Sequence, residues 1–151
     1  MELKEQRPGI LGVIADIVKV EKQYETAIET ALGGTIQNIV TDNENTAKDL
    51  IAYLKQNRFG RATFLPLSAI QVRNTLEGEP CMKEKGVIGA ASDLVRVSFE
   101  YEKLAKYLLG RILVVDNIDN ALAIARKYRH SLRIVTLEGE PVSYTHLRAH
   151  E

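Results

Sequence analysis

Residues Gly12 to Thr41, GVIADIVKVEKQYETAIETALGGTIQNIVT, read as strand, amphipathic helix, glycine stop and strand. Tyr24, Ala27, Ile28, Ala31 and Leu32 fall at i, i+3, i+4, i+7 and i+8, one apolar stripe at the helical period, with Glu25, Glu29 and Thr30 off it. Gly33 and Gly34 end the helix, because glycine enters the left-handed conformation of a C-terminal cap without steric cost. Before the helix, Gly12 to Val18 predicts a short, largely buried strand interrupted by Asp16. After it, Thr35 to Thr41 predicts a second strand, with Ile36, Ile39 and Val40 as its apolar members.

Moving outward, Asp42 or Asn43 is placed to cap a second helix, whose stripe is Ala47, Leu50, Ile51 and Leu54. Gly60 releases the chain into Arg61 to Leu65, a third strand stopped by Pro66. Residues 68–86, SAIQVRNTLEGEPCMKEKG, lose the period and mix Gly78, Pro80 and Gly86 with alternating charges. They read as a connector, holding at most a helical turn or a short strand.

From Gly89 the order starts again. GAASDLVRVSFEYEKLAKYLLG lies over GVIADIVKVEKQYETAIETALG without a gap, at a constant offset of 77. Gly12, Asp16, Val18, Val20, Tyr24, Glu25, Leu32 and Gly33 meet the same residue type at Gly89, Asp93, Val95, Val97, Tyr101, Glu102, Leu109 and Gly110. The first stripe returns as Tyr101, Leu104, Ala105, Leu108 and Leu109, the second as Ala121, Ile124, Ala125 and Tyr128. With small deletions, Asp42, Asn43 and Ala47 meet Asp116, Asn117 and Ala121, and Arg61 and Leu65 meet Arg133 and Leu137. The expected fold is α/β (mixed α+β): two pseudo-twofold-related subdomains, each built as strand–helix–strand–helix–strand. Such a unit exposes sheet edges that a sister copy or another subunit covers.

Composition narrows the function. The 151 residues suit one domain or two small lobes, and the twenty Lys plus Arg balance the twenty Asp plus Glu. A zero net charge leaves only a local basic patch for nucleic acid. One cysteine, Cys81, excludes an intramolecular disulfide and fits a reducing cytosol. No apolar run approaches the roughly 18 residues that span a bilayer, and MELKEQRPG has no signal-peptide core. The expected location is the cytoplasm, with no membrane partner.

The chemistry-bearing motifs are few. Gly33-Gly34 follows a helix, whereas phosphates bind at helix N-termini, so the pair is a helix stop and not a phosphate cradle. Neither nucleotide-binding glycine motif occurs. Asp16 and Asp93, at one repeat position, read as backbone caps or partners of Lys19 and Arg96 and not as a catalytic pair. His146 and His150 stand four apart without a third metal ligand, and Cys81 lacks an adjacent base and reads as a free thiol. Catalytic, cofactor and metal sites are therefore expected to be absent. The cations cluster in matching places: Lys55, Arg58 and Arg61 in one half; Arg126, Lys127, Arg129, His130 and Arg133 in the other. They complement helix C-termini, or they contact a nucleic-acid backbone. Lys19 and Lys22, with Arg96 and Lys103, form a further candidate.

The pieces YETAIETALGG, GRATFLPL and RIVTLEGE, within a match running from about residue 8 to 140, resemble the hinge domain of bacterial SMC (structural maintenance of chromosomes) partition proteins. The resemblance implies a non-catalytic dimerisation module of a chromosome condensation and segregation protein, pairing with a second hinge through subdomain edges. It also implies modest, non-specific DNA contact through basic residues. The ATP and Mg site, and the accessory subunits, would belong to the rest of the parent protein, which is nucleoid-associated. On this reading residues 1–9 are a remnant of the incoming coiled-coil arm, 10–67 subdomain I, 68–86 the connector and 87–140 subdomain II. Residues 141–151, PVSYTHLRAHE, stand where the family carries a glycine-rich dimer segment. They resemble translated adapter read-through, and are expected to be loosely packed and to weaken the homodimer. The rival readings are a small-molecule-sensing duplicated α/β domain, which needs convergent polar groups at strand ends, and an enzyme using Asp16 or Asp93.

Overall fold

Two middle strands, Ile39–Thr41 and Ile112–Val115, leave no residue exposed, and each carries a sheet of its own. The computed structural model describes residues 9–60, 62–72 and 74–142. The first lobe contains β1 (Ile10–Val13), α1 (Ile14–Ile17), β2 (Lys19–Val20), α2 (Glu25–Leu32), β3 (Ile39–Thr41), α3 (Glu44–Gln56) and β4 (Phe64–Pro66). The second contains β5 (Val87–Ala90), β6 (Val95–Arg96), α4 (Glu102–Leu109), β7 (Ile112–Val115), α5 (Ile118–Lys127), β8 (Arg133–Thr136) and β9 (Pro141–Val142).

The two sheets are wired alike. β3 is antiparallel to β1 and parallel to β4, while β7 is antiparallel to β5 and parallel to β8. A register shift between Ile10 and Gly12 recurs between Val87 and Gly89, at the same offset of 77. Helices α3 and α5 start on matching caps: Asn43 Oδ1 accepts from the Thr46 N–H at 3.0 Å, and Asn117 Oδ1 from the Asn120 N–H at 2.9 Å. Of the two proposed caps, Asn43 is the one used. Asp42 holds the neighbouring Asn43 N–H and the Thr46 hydroxyl instead. Gly9 and Gly86 sit over these caps at φ 98° and 89°, where a Cβ would strike Asp42 and Thr46, or Asp116 and Asn120.

Several local readings need correcting. The strand expected over Gly12 to Val18 ends at Val13, and α1 follows. Ile14 and Val18, four apart, are both buried while Ala15 and Asp16 are exposed, which is a helical and not an alternating pattern. Thr35 opens no strand: Gly33–Gln37 forms a 3-10 turn and β3 begins at Ile39. The third strand is Phe64–Pro66, with Pro66 inside it. Ile51 stands out of its stripe at 47% exposure, whereas Ala47, Leu50 and Leu54 are buried. The last strands also match differently. Leu65 pairs with Val40, and Val135 pairs with Val114, the repeat partner of Val40, so Leu65 corresponds to Val135 and not to Leu137. A slip of two residues keeps every side chain on its face, so the apolar pattern cannot detect it. Pro141 and Val142 are not loose: they form β9 on β8, with Val142 buried.

The lobes share one core. Ile14, Val18, Ala27, Ile28, Leu32, Val40 and Ile70 cluster with Ala91, Leu104, Leu109, Ile112, Val114 and Val135. The second lobe reaches over the first. The turn after β8 lies on α2, where the Thr30 hydroxyl donates to the Gly139 carbonyl at 3.0 Å and Arg133 Nη2 to the Ala31 carbonyl at 3.3 Å. Connector residues 74–79 cross the end of α4: the Leu76 N–H donates to the Gly110 carbonyl at 2.9 Å, and Arg111 Nη1 to the Asn74 carbonyl at 3.0 Å. The connector also feeds the second core with Leu76 and Cys81, both buried. Strands β2 and β6 pair between the lobes, with Lys19 opposite Arg96.

Candidate nucleic-acid and subunit interface

The basic residues named from the sequence divide by what their side chains already do. Lys127 Nζ lies 2.8 Å from Glu84 Oε2, which also accepts from the Tyr128 hydroxyl at 2.7 Å. These two donors hold the Glu84 carboxyl below its ordinary value, and the same bond pushes Tyr128 up to about 12. Arg133 is engaged by the Ala31 carbonyl. Lys127 and Arg133 thus already have partners within the protein, although both are exposed. Arg61, His146 and His150 lie outside the described residues. Lys19, Lys22, Lys55, Arg58, Arg126 and Arg129 are exposed, and among the described residues their side chains hold neither an ion pair nor a hydrogen bond.

Two of the uncommitted cations occupy an unusual backbone position. Helix α3 ends with the Phe59 N–H donating to the Leu54 carbonyl and the Arg58 N–H to the Lys55 carbonyl. Helix α5 ends in the same way, His130 to Ala125 and Arg129 to Arg126. This is the Schellman closure, whose left-handed residue is ordinarily glycine. Here it is arginine both times, Arg58 at φ 55° and Arg129 at φ 55°. Left-handed backbone costs a residue with a Cβ about 1 kcal/mol.

The sheet edges differ between lobes. In the second lobe β9 runs along β8, and Val142 packs with Ala121, Ile124 and Ala125 beneath it. In the first lobe β4 ends the described sheet, and its outer edge has no partner among the described residues. Ile51, the repeat counterpart of the covered Ala125, is correspondingly exposed. Pro66 sits at this edge, where its missing N–H interrupts no ladder bond. Nothing in the sequence distinguished this edge from its counterpart, because the distinction depends on β9, whose two residues carry no strand period.

The enzymatic candidates do not assemble. Asp16 and Asp93 are exposed and make no ion pair or hydrogen bond among the described residues, so the expected pairing with Lys19 and Arg96 and the backbone-capping role are both absent. Cys81 is free and buried, and burial raises its thiol pKa. No group of three metal-ligating residues occurs among the described residues. The core between the lobes is apolar, and at the surface beside it Asp16, Lys19, Arg96, Ser98 and Tyr101 line an open depression of about 440 Å³ together with Leu11 and Ile17. An open depression of about 730 Å³ lies beside Asn74, Thr75 and Glu79, and Arg111 spans it with bonds to its own protein. No helix among the described residues is long and apolar enough to cross a membrane.

The chain is a duplicated α/β body in which β9 fills the edge of β8 while β4 has no partner strand beyond β3 among the described residues, and comparison with known proteins gives it a family. The model of the SMC proteins' flexible hinge domain matches residues 7–125. The chain belongs to the SMC hinge domain family. It is 42% identical over 145 residues to the chromosome partition protein Smc of Bacillus subtilis, covering 95% of this chain and 12% of that protein. It is 44% identical over 131 residues to Smc of Clostridium kluyveri, covering 87% of this chain and 11% of that protein. The chain thus spans only about an eighth of these relatives. Among solved structures, the asymmetric dimer of the Geobacillus stearothermophilus SMC hinge domain superposes with a TM-score of 0.87 at 40% identity, over 94% of this chain and 59% of that one. The Pyrococcus furiosus SMC hinge domain gives 0.78 at 33%, over 94% and 72%. The hinge is a non-catalytic domain of such proteins.

Proposed function

We propose that this chain is the dimerisation hinge of a chromosome partition SMC protein, pairing with a second copy through the open edge of β4. The observation that carries this is the contrast between lobes: β9 fills one edge, and the equivalent edge has no partner among the described residues, beside the exposed Ile51. A strand added to β4 would gain ladder hydrogen bonds and bury Ile51, as Val142 buries Ala125. In this reading residues 10–67 and 87–140 are the two subdomains, joined by 68–86. ATP hydrolysis, with its Mg and accessory subunits, belongs to other parts of the parent protein, and the setting is the nucleoid in the cytoplasm. The uncommitted cations, foremost Lys19, Arg58, Arg126 and Arg129, make non-specific contact with DNA phosphates.

Ile51→Glu tests the edge. The residue is half exposed, so the fold tolerates the change. Analytical ultracentrifugation should show a weaker self-association than in the parent chain. An unchanged dissociation constant, with crosslinks mapping away from β4, would refute the edge.

A further inference from the structure

We propose that the depression beside the β2–β6 ribbon is a binding site for a small ligand with one anionic headgroup and an apolar body, such as an aromatic carboxylate. The inference goes beyond the dimerisation and DNA readings and rests on neither.

The depression measures about 440 Å³, a size ordinary for small-molecule sites. Lys19 and Arg96 stand directly opposite each other on the ribbon, and both line it. Like charges facing across an antiparallel pair are destabilising. Neither side chain holds an ion pair or a hydrogen bond among the described residues. One anion seated between them relieves both charges at once. Asp16 lines the same depression without pairing to either cation. Its carboxylate opposes a second negative charge on the ligand. The fit is therefore to a single headgroup and not to a run of phosphates.

Beside the cations the lining turns apolar. Leu11, Ile17 and Val97 are partly buried at the fringe of the shared core, and an apolar body laid on them removes that surface from water. Tyr101 adds its ring, and burial raises the phenol pKa and keeps it neutral. The Tyr101 and Ser98 hydroxyls also line the depression, and neither makes a hydrogen bond among the described residues. Both are donors for a carboxylate oxygen.

The duplication supplies an internal control. The offset of 77 relates Val97 and Tyr101 to Val20 and Tyr24, and Asp16 to Asp93, but Ser98 falls on Glu21. On that side the repeat sets two carboxylates, Asp93 and Glu21, against the same pair of cations. The attraction for an anion is cancelled there, so the ligand takes the Ser98 side alone.

The test follows amide correlation spectra of the isotopically labelled chain at low salt, titrated with 2-naphthoate, its neutral isostere 2-naphthamide, and acetate. Naphthoate should shift residues 17–19 and 96–101. Naphthamide, without the charge, and acetate, without the apolar body, should each bind at least about tenfold more weakly. S98E, at an exposed position, should weaken naphthoate binding about tenfold. E21S should keep the first site and add a second set of shifts at residues 20–24. A spectrum unmoved by naphthoate, or shifts falling beside Ile51 and Phe59 instead, refutes the site. Naphthamide or acetate binding as tightly as naphthoate refutes the ligand class. S98E binding like the parent, or E21S gaining no second set of shifts, overturns the choice of the Ser98 side.

Discussion

Lys19 and Arg96 face each other across the β2–β6 ladder, and each is the repeat equivalent of the other. An antiparallel pair formed by one position with its own copy can arise only on a twofold axis, so the pseudo-symmetry axis of the molecule passes between these two cations. Like charges directly opposite are unfavourable, and both side chains are exposed. Lys19→Glu should turn the repulsion into a cross-strand ion pair. We expect a gain of about 0.2–1 kcal/mol, read by urea unfolding at low salt and fading as salt is added. A loss of stability would mean that the two groups are splayed apart in solution.

Gly33 and Gly34 look alike in sequence and should behave oppositely. Gly33 has φ 55° and ψ −135°, a region essentially closed to other residues, though no neighbour lies within 4 Å of its missing Cβ. Gly34 has neither a positive φ nor a near neighbour. Gly33→Ala should cost about 1–3 kcal/mol through the backbone alone. Gly34→Ala should stabilise by about 0.4–1 kcal/mol by restricting the unfolded chain. Equal effects in denaturant titrations would contradict the assignment of the cap to Gly33.

The Glu84–Tyr128–Lys127 group sets two pH windows. The Glu84 pKa is lowered below 4.5, so its contribution is present above the unfolded value and is lost as pH falls through the folded one. The Tyr128 pKa is raised from 10.0 to about 12, so that contribution is complete below pH 10.0 and disappears as pH rises towards 12. Glu84→Gln should therefore flatten the acid limb and return Tyr128 towards its ordinary value. Phenolate absorbance during alkaline titration reports this directly. A titration curve unchanged by the substitution would show that the bond is not formed.

Gly139 stands at φ 86°, where a Cβ would lie 2.7 Å from Thr26 Cγ2 and 2.9 Å from Thr30 Oγ1. Gly139→Ala should combine left-handed strain with loss of the turn's seat on α2, for about 2–3 kcal/mol. Calorimetry should still show a single transition, since the shared core melts as one unit. Two separated transitions would mean that the lobes unfold independently.

How much of this was legible depended on the period involved. The α2 and α4 stripes were readable because eight-residue helices repeat an apolar face twice. The Asn43 and Asn117 caps were readable because their side chains act locally. Helix α1 was hidden, being one turn long and flanked by strand residues. The last-strand offset was hidden by the two-residue symmetry of a pleat. Gly9 and Gly86 stand at the same offset of 77, but Gly9 falls in the stretch assigned to the incoming arm and Gly86 in the connector, so the repeat did not draw them together. The site was less legible than the fold. A list of cations does not say which are already bonded, and only packing showed Lys127 and Arg133 to be engaged while Arg58 and Arg129 are not.

The seat of the second lobe's turn on α2 has a mechanical consequence. Parting the lobes requires breaking the Thr30–Gly139 and Arg133–Ala31 bonds together with the shared apolar core, so the two lobes are expected to move as one body under tension.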